Sequence, residues 1–157
     1  MLGLIRSITY SFSTPMCLLI LYYTLVRSKL EYASVVWNSI TSTDSAKLEN
    51  IQRKFISLCS YRFLPNSDYN YEIKCNYFNC GCLFSRRQDL DYLFFCKVIK
   101  GDIDCESFIS NISLRIPAKG LRFHKLFYNK NPKSLSPVCR CIKYANLHGF
   151  NLDPFNV

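Results

Sequence analysis

Glycine is scarce in this chain, five in 157 residues, and tryptophan occurs once. So little glycine argues against a fold of many strands and tight turns, which draws on glycine wherever φ must be positive. Long apolar runs are also missing. Residues 16–26 give 11 consecutive apolar or near-apolar positions, against the ~20 that a spanning helix needs. A secretory leader is not expected: Arg6 is a lone N-terminal charge, and no small-residue cleavage site follows the apolar run.

Acid is lacking where base is dense. Residues 1–106 hold 12 basic and 10 acidic residues, a net of +2, while residues 107–157 hold 8 and 1, a net of +7. These sum to the +9 of the whole chain, and residues 107–152 contain no acid at all. A one-sign field attracts polyanions, nucleic acid first and an anionic membrane surface second. The plainer alternative is a basic, soluble surface.

Catalytic constellations are missing too. A two-metal site needs paired carboxylates on a tight turn. Asp89 and Asp91 fall on a predicted helix, where i,i+2 residues do not face each other. Asp102 and Asp104 read as a turn and a cap. His124 and His148 lack any neighbouring nucleophile motif. Zinc sites favour Cys-x2–4-Cys pairs, whereas Cys80 and Cys82, and Cys139 and Cys141, are separated by one residue. Nine cysteines, an odd count, with Cys17, Cys59 and Cys96 inside apolar helical patterns, point to reduced, buried thiols in an intracellular setting, nuclear or cytoplasmic. No metal or cofactor is expected.

What is present is helical periodicity, and the expected class is mainly α. A first long helix is predicted over 15–36, capped by Thr14 with Pro15 at its first position. Val26, Leu30, Ala33 and Trp37 share one face, and Leu18, Leu21, Tyr22 and Leu25 an adjoining one. So wide an apolar girdle implies covering elements on most sides. A second helix starts near Asp44, with Thr43 or Asp44 as its N-cap, and turns Leu48, Ile51, Phe55 and Leu58 inward, with a Glu49–Arg53 pair outside. The two form a helical hairpin over residues 1–62. A looser tyrosine-rich segment follows, with a short helix near 68–75. A third helix opens on a capping box, Ser85 with Gln88, and stops at Gly101. Arg86 and Arg87 sit in its first turn, where cations are disfavoured; the options are an Arg87–Asp91 pair or a phosphate or carboxylate partner. A short helix near 106–109, an extended stretch over 112–116 and a last helix from Ser136-Pro137 to about His148 complete a second region, 63–157.

Several of these stretches resemble the segment that follows the polymerase palm in jockey-like non-LTR retrotransposon reverse transcriptases. The matching residues are Leu21-Tyr22, Leu25-Val26-Arg27-Ser28, Leu30-Glu31-Tyr32 and Val36-Trp37. Ile51-Gln52-Arg53-Lys54-Phe55 and Arg86-Arg87 support them, as do Leu2-Gly3-Leu4-Ile5, Ile116-Pro117, Arg122, Ser136-Pro137 and Asn146 more loosely. The resemblance implies a thumb-like hairpin and a post-thumb region of an RNA-directed DNA polymerase. The palm, with its Asp-Asp pair and magnesium, would lie before residue 1, so this chain would not be an enzyme alone. Its partners would be that palm and an RNA or RNA–DNA duplex, held by backbone contacts that do not read sequence. Candidate contacts are Arg27, Lys29, Lys47, Arg53, Lys54, Arg86, Arg87, Arg115, Lys119, Arg122 and Lys125, with Phe123, Phe127 and Tyr128 as core residues or base-stacking rings. Two alternatives stand beside this: a non-functional remnant of a decayed element, and a small membrane-associated protein using residues 16–26 and the basic tail.

Overall fold

The computed structural model describes residues 2–11, 13–64, 69–115 and 126–147. It is mainly α, as expected. The chain runs α1 (Leu2–Ile8), α2 (Pro15–Tyr22), a π-helical turn (Tyr23–Arg27), α3 (Ser28–Glu31), α4 (Ser34–Trp37), α5 (Ser42–Phe63), α6 (Tyr71–Tyr77), α7 (Leu83–Lys100), α8 (Glu106–Ile109), β1 (Ser113–Leu114), β2 (Phe127–Tyr128) and α9 (Pro137–Leu147). None of the helices among the described residues is long and apolar enough to cross a membrane.

Two compact units result. One contains Met1–Ser34 and Ile40–Arg86; the other contains Val35–Ser39 and Arg87–Val157. The expected boundary at 62/63 does not separate them, because α6 packs on α5 within the first unit.

The first long helix departs from expectation in two ways. Leu18, Tyr22, Val26 and Leu30 are spaced by four, and each such step overshoots one turn of a 3.6-residue helix by about 40°. Three steps would carry Leu30 roughly 120° off the buried face. The π turn over Tyr23–Arg27 inserts one extra residue into the ladder, with the Ser28 N–H reaching back to the Tyr23 carbonyl. That returns about 100° and keeps Val26 and Leu30 against the core. The helix then ends at Glu31 rather than continuing to residue 36, because Tyr32 turns extended (ψ 126°) and Ala33 is left-handed (φ 51°). Ala33 is exposed, so it does not share a face with Val26 and Leu30. Burial is also one-sided: Leu18, Leu19, Tyr22 and Val26 are inside, while Met16, Ile20 and Leu25 are exposed.

The first unit's core gathers these residues with Ile5 of α1, Phe55, Ile56 and Cys59 of α5, and Cys75, Phe78 and Cys80. Tyr22 stacks on Phe55, rings 4.1 Å apart and 8° from parallel. The buried amide of Gln52 ties the elements together. It accepts from the Tyr22 hydroxyl (3.0 Å) and donates to Tyr71 Oη (3.1 Å) and the Gly81 carbonyl (3.0 Å). Arg62 closes α1 by donating to the Arg6 and Thr9 carbonyls, a cation at a helix C-terminus. Helix α5 begins two residues earlier than expected, since Thr41 is the N-cap and its hydroxyl accepts from the Asp44 N–H at 3.2 Å.

In the second unit, Phe95, Val98, Phe108, Phe127, Cys141, Ile142 and Ala145 form the core. Phe95 meets the edge of Phe127 at 4.9 Å. Helix α7 starts at Leu83, ahead of Ser85, and ends as predicted: Gly101 (φ 80°) donates to Val98 O, and Asp102 to Lys97 O, closing a Schellman motif. The ribbon pairs Ser113 with Tyr128 and Leu114 with Phe127, antiparallel. Asn146 of α9 holds β2 by donating to the Phe127 carbonyl (2.9 Å) and accepting its N–H (3.2 Å).

All nine cysteines are free. Cys59 is buried as expected, Cys96 half-buried, and Cys17 exposed, a correction to its expected burial. Burial pushes the thiols of Cys59 and Cys141 up from an ordinary 9.0 to about 12, and that of Cys80 to about 11.

Two measurements check this architecture. In a continuous helix Ala33→Gly would destabilise by about 0.5–1 kcal/mol; at a left-handed position it relieves the Cβ penalty, and a gain of about 1 kcal/mol is expected in a urea melt. The raised thiols set the alkaline limit. Unfolded thiols ionise near 9.0 while the buried ones stay protonated. Their contribution is therefore whole below about pH 9 and drains as pH climbs toward 11–12, by up to about 1.4 kcal/mol per pH unit for each thiol. A urea midpoint unchanged between about pH 8 and pH 10.5 would contradict that burial.

Candidate nucleic-acid interface

A cation can meet a phosphate only if the fold leaves it accessible and uncommitted. The candidates divide on that criterion. In the first unit, α5 turns Gln52, Phe55, Ile56, Cys59 and Ser60 inward, and leaves Lys47, Arg53 and Lys54 exposed. Lys47 and Lys54 lie seven residues apart, two turns or about 10.5 Å along one helix face. Lys47 Nζ is 2.9 Å from Asp44 Oδ1, with both side chains well exposed, a pairing of little worth in water. The Asp44 carboxyl is held below its ordinary value by Lys47 first and the Thr41 hydroxyl second. Arg53 lies over the Tyr71 ring, 4.8 Å from its centroid, a cation–π contact that leaves its outer edge to solvent. The expected Glu49–Arg53 pair is replaced: Glu49 accepts from the Tyr71 hydroxyl (2.6 Å) and the Leu83 N–H (3.1 Å). Burial, then the bond to Glu49, raises the Tyr71 phenol far above its ordinary value. Lys29 on α3 is exposed.

Arg27 and Arg86 are committed elsewhere. Arg27 is buried, lies over the Tyr23 ring at 4.8 Å and donates to Glu31 Oε1 at 2.8 Å. Arg86 grips the same carboxylate bidentately, at 2.7 and 3.0 Å. Of the two options for the first-turn arginines, Arg86 therefore has a carboxylate partner. One glutamate thus holds two guanidiniums, a geometry that favours arginine over lysine.

In the second unit Arg87 is 1% exposed, and its Nε donates to Asn38 Oδ1 at 3.0 Å. Asn38 in turn donates to Asp91 Oδ2 at 3.1 Å. Asp91 is fully buried and takes Arg140 Nε at 3.1 Å, while Arg140 also donates to the Leu135 and Val35 carbonyls. The Asp89/Asp91 pair is thus divided: Asp89 is exposed and Asp91 is interior. Among the described residues, no group of three or more potential ligands could hold a metal ion.

Arg115 is exposed beside β1, its N–H bonded to Leu126 O. Lys119, Arg122 and Lys125, with Phe123, lie outside the described residues. Phe127 is core and Tyr128 is half-exposed, so the two rings separate. Lys143, exposed on α9, was not among the expected contacts. Its signal was available: Val138, Cys141, Ile142 and Ala145 form the inward stripe of that helix and put residue 143 on the other side.

The division predicts opposite phenotypes. Glu31→Gln leaves Arg27 buried beside a neutral group, and a loss of about 2–3 kcal/mol in unfolding free energy is expected. Lys54→Gln should change stability by less than about 0.5 kcal/mol. Equal, small effects in denaturant titrations would remove the distinction. Compared with known proteins, the chain matches no family model, no curated protein and no solved structure.

Proposed function

We propose that this chain is a helical nucleic-acid-binding module, the thumb and post-thumb portion of a reverse-transcriptase-like polymerase. It grips a template–primer duplex through the phosphate backbone. The observation that carries the proposal is the division of α5, apolar and amide groups inward, Lys47, Arg53 and Lys54 outward. A thumb helix works in this way, packing on one side and offering cations on the other. The stretch 107–152 contains no acid of its own and adds a basic field, with Arg140 turned inward to Asp91.

On this reading Lys29, Lys47, Arg53, Lys54 and Arg115 are backbone contacts. Arg27, Arg86 and Arg87 hold the fold. Nucleotidyl transfer, with its paired carboxylates and magnesium, belongs to a palm partner. Nine free thiols suit a reducing, intracellular compartment.

The test is the salt dependence of binding. Fluorescence anisotropy with an RNA–DNA duplex should show affinity falling steeply between about 50 and 200 mM salt. Replacing Lys47, Arg53 and Lys54 together by glutamine should lower the log–log slope by up to roughly 2.7, about 0.9 for each phosphate that is no longer neutralised. Duplex binding that ignores salt, or a triple variant with an unchanged slope, would rule the proposal out. A chain that binds no duplex at low salt is the outcome expected of an inactive remnant.

A further inference from the structure

The second unit contains a cleft of about 390 Å³, of which the duplex reading uses only Arg115. That size falls in the range of small-molecule sites. Phe127, Pro132 and Leu147 give it apolar walls, and Arg115, Tyr128 and Lys143 line it as well. Arg115 and Tyr128 are brought together by register. The pairing of 113 with 128 and 114 with 127 continues through the Arg115 N–H to Leu126 O bond at 2.9 Å. Residue 115 is therefore the diagonal cross-strand neighbour of residue 128, on the same ribbon face. Lys143 and Leu147 come from α9, one turn apart on one helix face.

The polar groups in the cleft fall into two classes. Asn146 is spent on the Phe127 backbone. Asn129 donates to the Cys139 carbonyl and accepts from the Asn131 N–H. Arg115 and Lys143, by contrast, have no acidic partner among the described residues, and no acid occurs from 107 to 152. The uncommitted groups are thus two cations and a half-exposed phenol ring over an apolar floor. Such a set suits a ligand that unites an anion with a flat ring. With both amide side chains occupied, it has little means of reading a base edge.

We propose that this cleft takes a nucleotide unit, its base against Tyr128 and its phosphate between Arg115 and Lys143, with little preference among bases. The ring-plus-phosphate chemistry has two sources, a free mononucleotide or an unpaired nucleotide of a single strand. The inference goes beyond the duplex grip of α5 and stands without it.

The experiment uses the full chain. Adenosine 5′-monophosphate is probed by saturation-transfer NMR, and a six-nucleotide single strand by fluorescence anisotropy. Adenosine and inorganic phosphate serve as half-ligand controls, and a blunt duplex as the α5 control. The nucleotide probes are expected to bind better than either half-ligand. Tyr128→Ala should weaken them about five-fold or more, the effect of losing one stacked base. Tyr128→Phe, which keeps the ring, should bind as wild type does. Arg115→Gln and Lys143→Gln should each weaken the phosphate-bearing probes and not adenosine. Blunt-duplex affinity should stay within about two-fold in Tyr128→Ala, because stacking on an unpaired base is sequence-tolerant and separate from backbone contact. Saturation transfer to the monophosphate identifies a free nucleotide as ligand; binding of the oligomer alone identifies a strand. The proposal is overturned if neither probe binds, if phosphate alone binds as well as the nucleotide, or if Tyr128→Phe loses as much as Tyr128→Ala. Duplex binding with no such pocket effect would leave the α5 grip standing and end this one.

Discussion

A buried charge without a partner costs several kcal/mol, and this constraint sorts the basic residues of the chain. Arg27, Arg87, Asp91 and Arg140 are all below a tenth exposed. Each is answered from within its own unit: Glu31 holds Arg27 together with Arg86, and Asp91 meets Arg140 and the Asn38 that also serves Arg87. Of 20 bases and 11 acids, the internal contacts take four bases (Arg27, Arg86, Arg87 and Arg140) and three acids (Glu31, Glu49 and Asp91). That leaves 16 bases against 8 acids, a net of +8, so nearly all of the chain's net charge of +9 stays outside these contacts.

How much of this was legible in the sequence follows from which interactions are local. The Gly101 stop, the short helix at 106–109 and the proline-led α9 depend on residues within one turn, and each formed as expected. The π turn and the left-handed Ala33 were not legible. The π turn goes with the packing of Val26 and Leu30 against a core supplied by other elements, and alanine carries no local signal for positive φ. Periodicity saw that Leu18, Tyr22 and Val26 were apolar; it could not see that their four-residue spacing would be met by widening one turn instead of wrapping the helix in neighbours.

The candidate site was legible by charge and not by role. Lys47, Arg53 and Lys54 were placed outward by the same stripe that placed Phe55 inward, which is helix geometry alone. Arg27, Arg86 and Arg87 look identical to them as letters. Their commitments run across 49 to 55 residues to Asn38 and Glu31, or one turn along a helix, and no spacing rule separates a guanidinium that will be buried from one that will not. The strand at Phe127–Tyr128 was missed for the same reason, since a two-residue strand exists only through its partner, which begins 14 positions upstream.

One side-chain amide has a consequence for association. The Leu114–Phe127 pair is flanked by the Arg115 N–H to Leu126 O bond, so the Phe127 peptide groups face away from β1. There Asn146 takes both of them. It does for β2 what an added neighbouring strand would do, and the ribbon's outer rim at Phe127 offers no free donor or acceptor for a second chain to zip onto. In a protein this apolar, that blocked rim removes one template for self-assembly into sheets.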